Sequence, residues 1–191
     1  MRKFDASKEP EMHQNATEYT PDGILVPSHQ LAIGGRFIGQ IRRNGQIIDE
    51  FDVHNLVVDE GLNKLLNVMF NADTQVTTWY LSLFEGNYTP VAGITAATIV
   101  AAATECTAYA NATRPDYVEV TSTAKSITNA ASRASFVFTA AKTIYGAFLT
   151  SVNTKSSTSG VLFAAARFSS AKSVEIGDEL LLTYAFSAAS T

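Results

Sequence analysis

Residues 35–58 read GRFIGQIRR, then NG, then QIIDEFDVHNLVV. The first run has a period of two: Phe37, Gly39 and Ile41 share one face, and Arg36, Ile38, Gln40 and Arg42 share the other. Asn44-Gly45 follows. Between two alternating runs this dipeptide is the strongest short-range hairpin signal, because both central residues of a type I′ turn need φ > 0. The return run puts Ile47, Asp49, Phe51 and Val53 on one face. Its alternation is imperfect, which predicts a β-bulge near Asp49–Glu50.

The period changes next. In DEGLNKLLNVMF (59–70), Leu62, Leu65, Leu66 and Met69 fall at i, i+3, i+4 and i+7, predicting one helix of about three turns with Asp59 as its N-cap. Beyond it the sequence reads again as strands: TTWYLSLF (77–84), YVEVTST (117–123), ASFVFTA (134–140), TIYGAFLTSV (143–152), VLFAAARF (161–168) and ELLLTYAF (179–186). Residues 94–109, rich in both alanine and threonine, give conflicting propensities and are expected to be mostly irregular. Short strands separated by Gly, Ser, Asn and Asp predict an all-β fold, an antiparallel β-sandwich or jelly roll with one short helix, over residues 34–191. The expected core is Phe37, Phe51, Trp79, Leu81, Phe136, Phe138, Phe148, Leu162, Leu181 and Tyr184.

Residues 1–33 differ. The first thirty carry eight charges with Pro10, Pro21 and Pro27 and no sustained period. Composition alone allows a solvated tail. The alternative is an extended N-terminal arm that orders on a neighbouring subunit, with Phe4, Tyr19, Ile24, Leu25 and Val26 as its anchors. Asp5, Lys8, Glu9 and Glu11 stand where a signal peptide needs an apolar stretch, so none is expected.

Composition narrows the function. The 191 residues carry a net charge of −4, with 17% charged and 46% hydrophobic residues. This mild acidity offers no field for nucleic-acid phosphates. No apolar run is long enough for a membrane helix. Cys106 stands alone, so no internal disulfide forms, and it reads as a small core residue. The three histidines, His13, His29 and His54, are far apart, and no metal-ligand spacing, G-x-S-x-G or phosphate-binding glycine loop is present. No catalytic residue, metal or cofactor is expected. One constellation stands out in ECTAYANATRP (105–115). Arg114 between apolar strands seeks a carboxylate or backbone carbonyls, and Glu105 is the candidate for a structural pair that fastens this connection; the other reading is two independent surface charges.

The stretches FDVHNLVVDEGLNKLLNVMF, TTWYLSLFEGNYTP and TECTAYANATRPDYVEV, with TIYGAFLTSV, VLFAAARF and SVEIGDELLLTYAF after them, resemble a family of tailed-phage virion proteins. The resemblance covers about residues 46–186. It implies a structural protein on the capsid exterior, a decoration or cement protein that binds between major capsid protein subunits. It also implies a homo-oligomer, dimer or trimer, made in the bacterial host cytoplasm. A tail-associated role in a fibre, baseplate or adaptor is the nearest alternative. An alternative of another class is a carbohydrate-binding β-sandwich, with Trp79, Tyr80 and Tyr88 as stacking faces, although Trp79 in an alternating strand also reads as core.

Overall fold

The computed structural model describes Glu18–Tyr19, Leu25–Val26, residues 31–122 and residues 124–190. The chain divides into two compact units, Met1–Ala32 with Ala189–Thr191, and Ile33–Ala188. In the first, strands β1 (Glu18–Tyr19) and β2 (Leu25–Val26) pair antiparallel, Tyr19 opposite Leu25. Phe4 and Ile24, two of the expected anchors, lie outside the described residues.

The second unit is built mostly from antiparallel strands in two sheets. One runs in the order β10 (Ala134–Val137), β13 (Glu179–Ser190), β3 (Leu31–Arg43), β4 (Gln46–His54), with β9 (Ser126–Thr128) also on β13. The other runs β5 (Leu56–Val57), β12 (Leu162–Val174), β11 (Lys142–Thr150), β6 (Trp79–Phe84), β7 (Glu105–Cys106), with β8 (Asp116–Tyr117) also on β6.

The β3–β4 hairpin turns through Asn44 (φ 51°) and Gly45 (φ 78°), as a type I′ turn requires. Arg43 faces Gln46 and Arg36 faces His54. The register shifts where Ile41 opposes Asp49 and Arg42 opposes Ile47, so the bulge holds Ile48, one residue before the expected place. The strand then crosses to the other sheet: Leu56 and Val57 pair with Ala165 and Ala164.

Side chains of both sheets fill one core cluster. Phe37, Ile41, Phe51, Leu180 and Leu182 come from the first, and Leu81, Leu83, Leu149 and Phe168 from the second. The Phe51 and Phe168 rings meet with centroids 4.1 Å apart. A second cluster covers the opposite face of the second sheet, where Phe84, Phe148, Leu162 and Ala165 meet Ile94, Ile99 and Ala103. Strands covered on both faces lose the period of two, which is why Leu81, Ser82, Leu83 and Phe84 are all buried. Leu181, expected in the core, is only half-buried; the inward positions of β13 are Leu180, Leu182 and Tyr184. Trp79 is also half-buried.

Three expectations about local structure change. Residues 94–109 are not mostly irregular: they contain a second helix, α2 (Ala96–Ala103), so the described residues form two helices rather than one. Its alanines favour helix and its buried face (Ala96, Ile99, Ala103) closes the second core cluster. The first helix, α1, spans Asp59–Phe70, but Val58 is its N-cap and Asp59 its first helical residue, where the carboxylate still favours the positive helix end. Among the described residues of 117–123, Tyr117 alone, with Asp116, forms a strand, and Val118 and Val120 are exposed.

Candidate functional site

The structure brings Glu105 and Arg114 together. Each side chain is 1% exposed. Arg114 Nε donates to Glu105 Oε1 at 2.7 Å and Nη2 to Oε2 at 2.8 Å, a bidentate pair. The carboxylate also accepts from the Ser82 hydroxyl (2.5 Å) and the Ser156 backbone N–H (2.7 Å). Arg114 Nη1 donates to the Val152 carbonyl at 2.9 Å, Nη2 reaches the Ser157 carbonyl at 3.3 Å, and the Arg114 backbone N–H donates to the Asn153 carbonyl at 2.7 Å. The guanidinium lies 5.4 Å from the Phe148 ring centroid. A buried ion pair is tolerable only when most of its lone pairs and protons are satisfied; here the carboxylate accepts four hydrogen bonds and the guanidinium donates four. The result is a clamp that fixes the 107–115 connection, the 151–160 loop and strand β6 to one point.

Lys155 reinforces it. Its ammonium donates to the Thr107 and Tyr109 carbonyls (3.2 and 3.0 Å) and sits 3.8 Å from the Tyr109 ring centroid. Burial lowers the Lys155 pKa and raises those of Tyr109 and Cys106. A thiol so shifted stays protonated and unreactive at neutral pH.

Glu60, in the first turn of α1, holds a second junction. Its Oε2 accepts from the Ala96 N–H at the start of α2 (2.8 Å) and from the Leu162 N–H at the start of β12 (2.7 Å). A carboxylate at a helix N-terminus satisfies a donor the helix leaves open. No sequence signal pointed to Glu60, Ser82 or Ser156, because their partners are distant in the chain.

A cavity of about 170 Å³ opens where the two sheets meet, walled by Trp79, Tyr117, Phe163, Tyr184 and Phe186. The rings stand edge to face: Trp79 with Phe163 at 5.4 Å, Phe163 with Phe186 at 5.3 Å, Tyr117 with Tyr184 at 5.7 Å. Gln75, Thr77 and Glu119 add polar groups to the lining. The Tyr184 hydroxyl accepts from Asn55 Nδ2 at 3.2 Å, whereas the Tyr117 hydroxyl is buried without a partner. Burial, with the Glu119 charge adding to it, pushes the Tyr117 pKa up, so the phenol is neutral. Tyr80 and Tyr88, the other stacking candidates, are not part of this wall.

On the outside, α1 shows an apolar face. Gly61 is its buried residue, while Leu66, Met69 and Phe70, at i, i+3 and i+4, are 54%, 66% and 81% exposed. The spacing therefore predicts the helix, but the Leu66 and Met69 side of its stripe does not face the core.

Among the described residues, no His, Cys, Asp and Glu cluster is arranged to hold a metal, and no helix is long and apolar enough to cross a membrane. In comparisons with known proteins, the sequence matches no family model and no curated protein.

Proposed function

We propose that this chain is a structural protein of a tailed-phage virion, a capsid decoration (cement) protein that binds between major capsid protein subunits on the shell exterior. It acts through the surfaces it presents rather than by catalysis. In this reading the two sheets form a β-sandwich, residues 1–33 are an arm that orders on a neighbouring subunit, and the protein assembles as a dimer or trimer. The observation that carries the proposal is the outward face of α1. Large apolar side chains on one helix face are stabilised by being covered, and an exposed patch of this kind marks an interaction surface. The clamped loops add support, since a rigid body loses little conformational entropy when it docks. The resemblance over residues 46–186 supplies the virion context. Repetition over a symmetric shell turns modest single-site affinity into avidity.

The test is to add purified protein to expanded capsids that lack it and to sediment the mixture. Decoration at hundreds of copies per particle supports the proposal. A Met69→Lys/Phe70→Lys variant and a chain lacking residues 1–30 are each expected to stay folded and to bind at least tenfold more weakly. A stoichiometry of a dozen copies or fewer per virion overturns the shell assignment in favour of the tail, and full affinity without residues 1–30 overturns the arm.

A further inference from the structure

We propose that residues 62–78 form a flap, hinged at the start of α1, that lifts as one unit while both sheets stay folded and so uncovers the groove beneath it. This does not depend on the virion proposal, because its test is made on the free protein.

The two ends of α1 are held very differently. At its start, the Val58 N–H donates to the Phe163 carbonyl (3.1 Å) and the Asp59 N–H to the Ala92 carbonyl (2.9 Å). Val58 is fully buried, and Glu60 accepts from the Ala96 and Leu162 N–H groups. Gly61 lies so close to β12 that an added Cβ would sit 2.4 Å from the Phe163 carbonyl oxygen. From Leu62 onward these fastenings stop. Among the described residues, the hydrogen bonds and ion pairs of 62–78 run to partners within 58–78: the Leu62 N–H to the Val58 carbonyl, the Asn71 and Asp73 N–H groups to the Asn67 carbonyl, and Lys64 to Asp73. No side chain of 62–78 belongs to either buried cluster.

The underside of the helix is loosely seated. Leu65 and Val68 are only half-buried, and a cavity of about 170 Å³ lies between them and Val76, Trp79 and Phe163. That is room for roughly one benzene-sized group, so the helix lacks close partners there and lifting it forfeits little dispersion contact. Behind the helix, residues 71–78 form no strand or helix, are mostly exposed, and carry Ala72 at a φ of 54°. Extended, these residues reach up to about 26 Å, enough slack for the helix end to rise. A helix of 12 residues is marginal by itself in water, so lifting and loss of helix go together. The flap therefore opens at a lower free energy than the sheets, as lids do. Once it is open, Trp79 and Phe163 are uncovered, and Leu62, Leu65 and Val68 join Leu66, Met69 and Phe70 within reach of a partner.

The test is hydrogen exchange of the full-length protein, followed at single amides by nuclear magnetic resonance, with urea raised in steps below the unfolding transition. The reference is Ala147–Leu149 of β11, a strand paired on both sides. The amides of Asn63–Phe70 are expected to exchange as one group, at least about 100-fold faster than the reference. Their rates should rise less steeply with urea, because lifting exposes little surface. Leu65→Ala removes an underside contact that lifting breaks, and it should speed the group about fivefold, for the half-buried carbons lost. Three results overturn the proposal. Exchange graded inward from Phe70 means that the helix end merely frays. Exchange at the rate and urea dependence of β11 means that α1 opens only when the whole unit unfolds. A Leu65→Ala variant with unchanged exchange means that the underside is not what seats the flap.

Discussion

Arg114 is the largest of the fully buried side chains, and its contribution depends on what remains when it is removed. Arg114→Ala leaves the Glu105 carboxylate buried with only the Ser82 and Ser156 donors. Breaking one side of a buried pair costs about 3–5 kcal/mol. At roughly 2–4 °C per kcal/mol for a chain of this size, the melting temperature should fall by about 6–20 °C in a calorimetric scan. In a double-mutant cycle with Glu105→Gln and Arg114→Met, the combined loss should be smaller than the sum of the single losses by about 1 kcal/mol or more. Strict additivity would mean that the two groups do not support each other.

Asp178 gives a pH-dependent case. Its carboxylate accepts from Arg43 Nε and Nη2 (2.8 and 2.7 Å) and from the Glu175 N–H (2.8 Å). The Arg43 hydrogen bonds hold its pKa below the ordinary value of 3.8. Between the folded and unfolded values the unfolded chain binds more protons. The stabilisation is therefore complete above the unfolded pKa and disappears as pH falls through the folded one. Asp178→Asn should lower the melting temperature at pH 7, and the gap from the parent should shrink as melting curves are taken from pH 5 down to pH 2. A gap constant with pH would show that the carboxylate's charge plays no part.

At the scale of elements, α1 sets two effects against each other. Gly61 in a helix is worse than alanine by at most about 1 kcal/mol. An added Cβ, however, would sit 2.4 Å from the Phe163 carbonyl oxygen and 2.8 Å from its Cα. Backbone of β12 cannot yield as a side-chain tip does, and overpacking costs about 1–3 kcal/mol. Gly61→Ala should therefore destabilise in chemical denaturation, against its helix propensity. A stabilised variant would mean that α1 shifts freely over β12.

The elements best marked in the sequence were those with one buried face. The β3–β4 hairpin and α1 appear where their periods place them, because polar and apolar positions alternate against a single core. The period could not say which side of α1 is covered, since Leu66 and Met69 look the same in sequence whether or not a partner sheet lies beneath them. Helix α2 was hidden for the opposite reason. Apart from Thr98 its residues AATIVAAA are all apolar and show no stripe, and a donor at its start is satisfied by Glu60, 36 residues earlier. The Glu105–Arg114 pair was approachable because nine residues separate the partners, whereas Ser82 and Ser156 join it from 23 and 51 residues away. Only the tertiary fold assembles the aromatic cavity, since its wall draws on residues from Gln75 to Phe186.

For the Ile33–Ala188 unit as a whole, the question is whether the two sheets can separate. Phe37, Ile41, Phe51, Leu180 and Leu182 of the first sheet share one buried cluster with Leu81, Leu83 and Phe168 of the second. Exposing any one of these large side chains costs roughly 1.5–3 kcal/mol, so a state with one sheet intact and the other melted loses a large part of its stabilisation at once. Lys172 of β12 also reaches across to Asp49 of β4 at 2.9 Å, although the exposed Asp49 end makes this bridge a weak fastening. The sheets exchange strands as well, since the chain leaves β4 for β5 of the other sheet within two residues. Unfolding should therefore be one cooperative transition. Trp79 fluorescence follows the junction where the two sheets meet, whereas far-ultraviolet circular dichroism follows the strands of both. In urea the two probes should give the same midpoint and the same slope. A fluorescence transition that precedes the loss of circular dichroism would show that the sheets part before their strands melt, and that unfolding is not one cooperative transition.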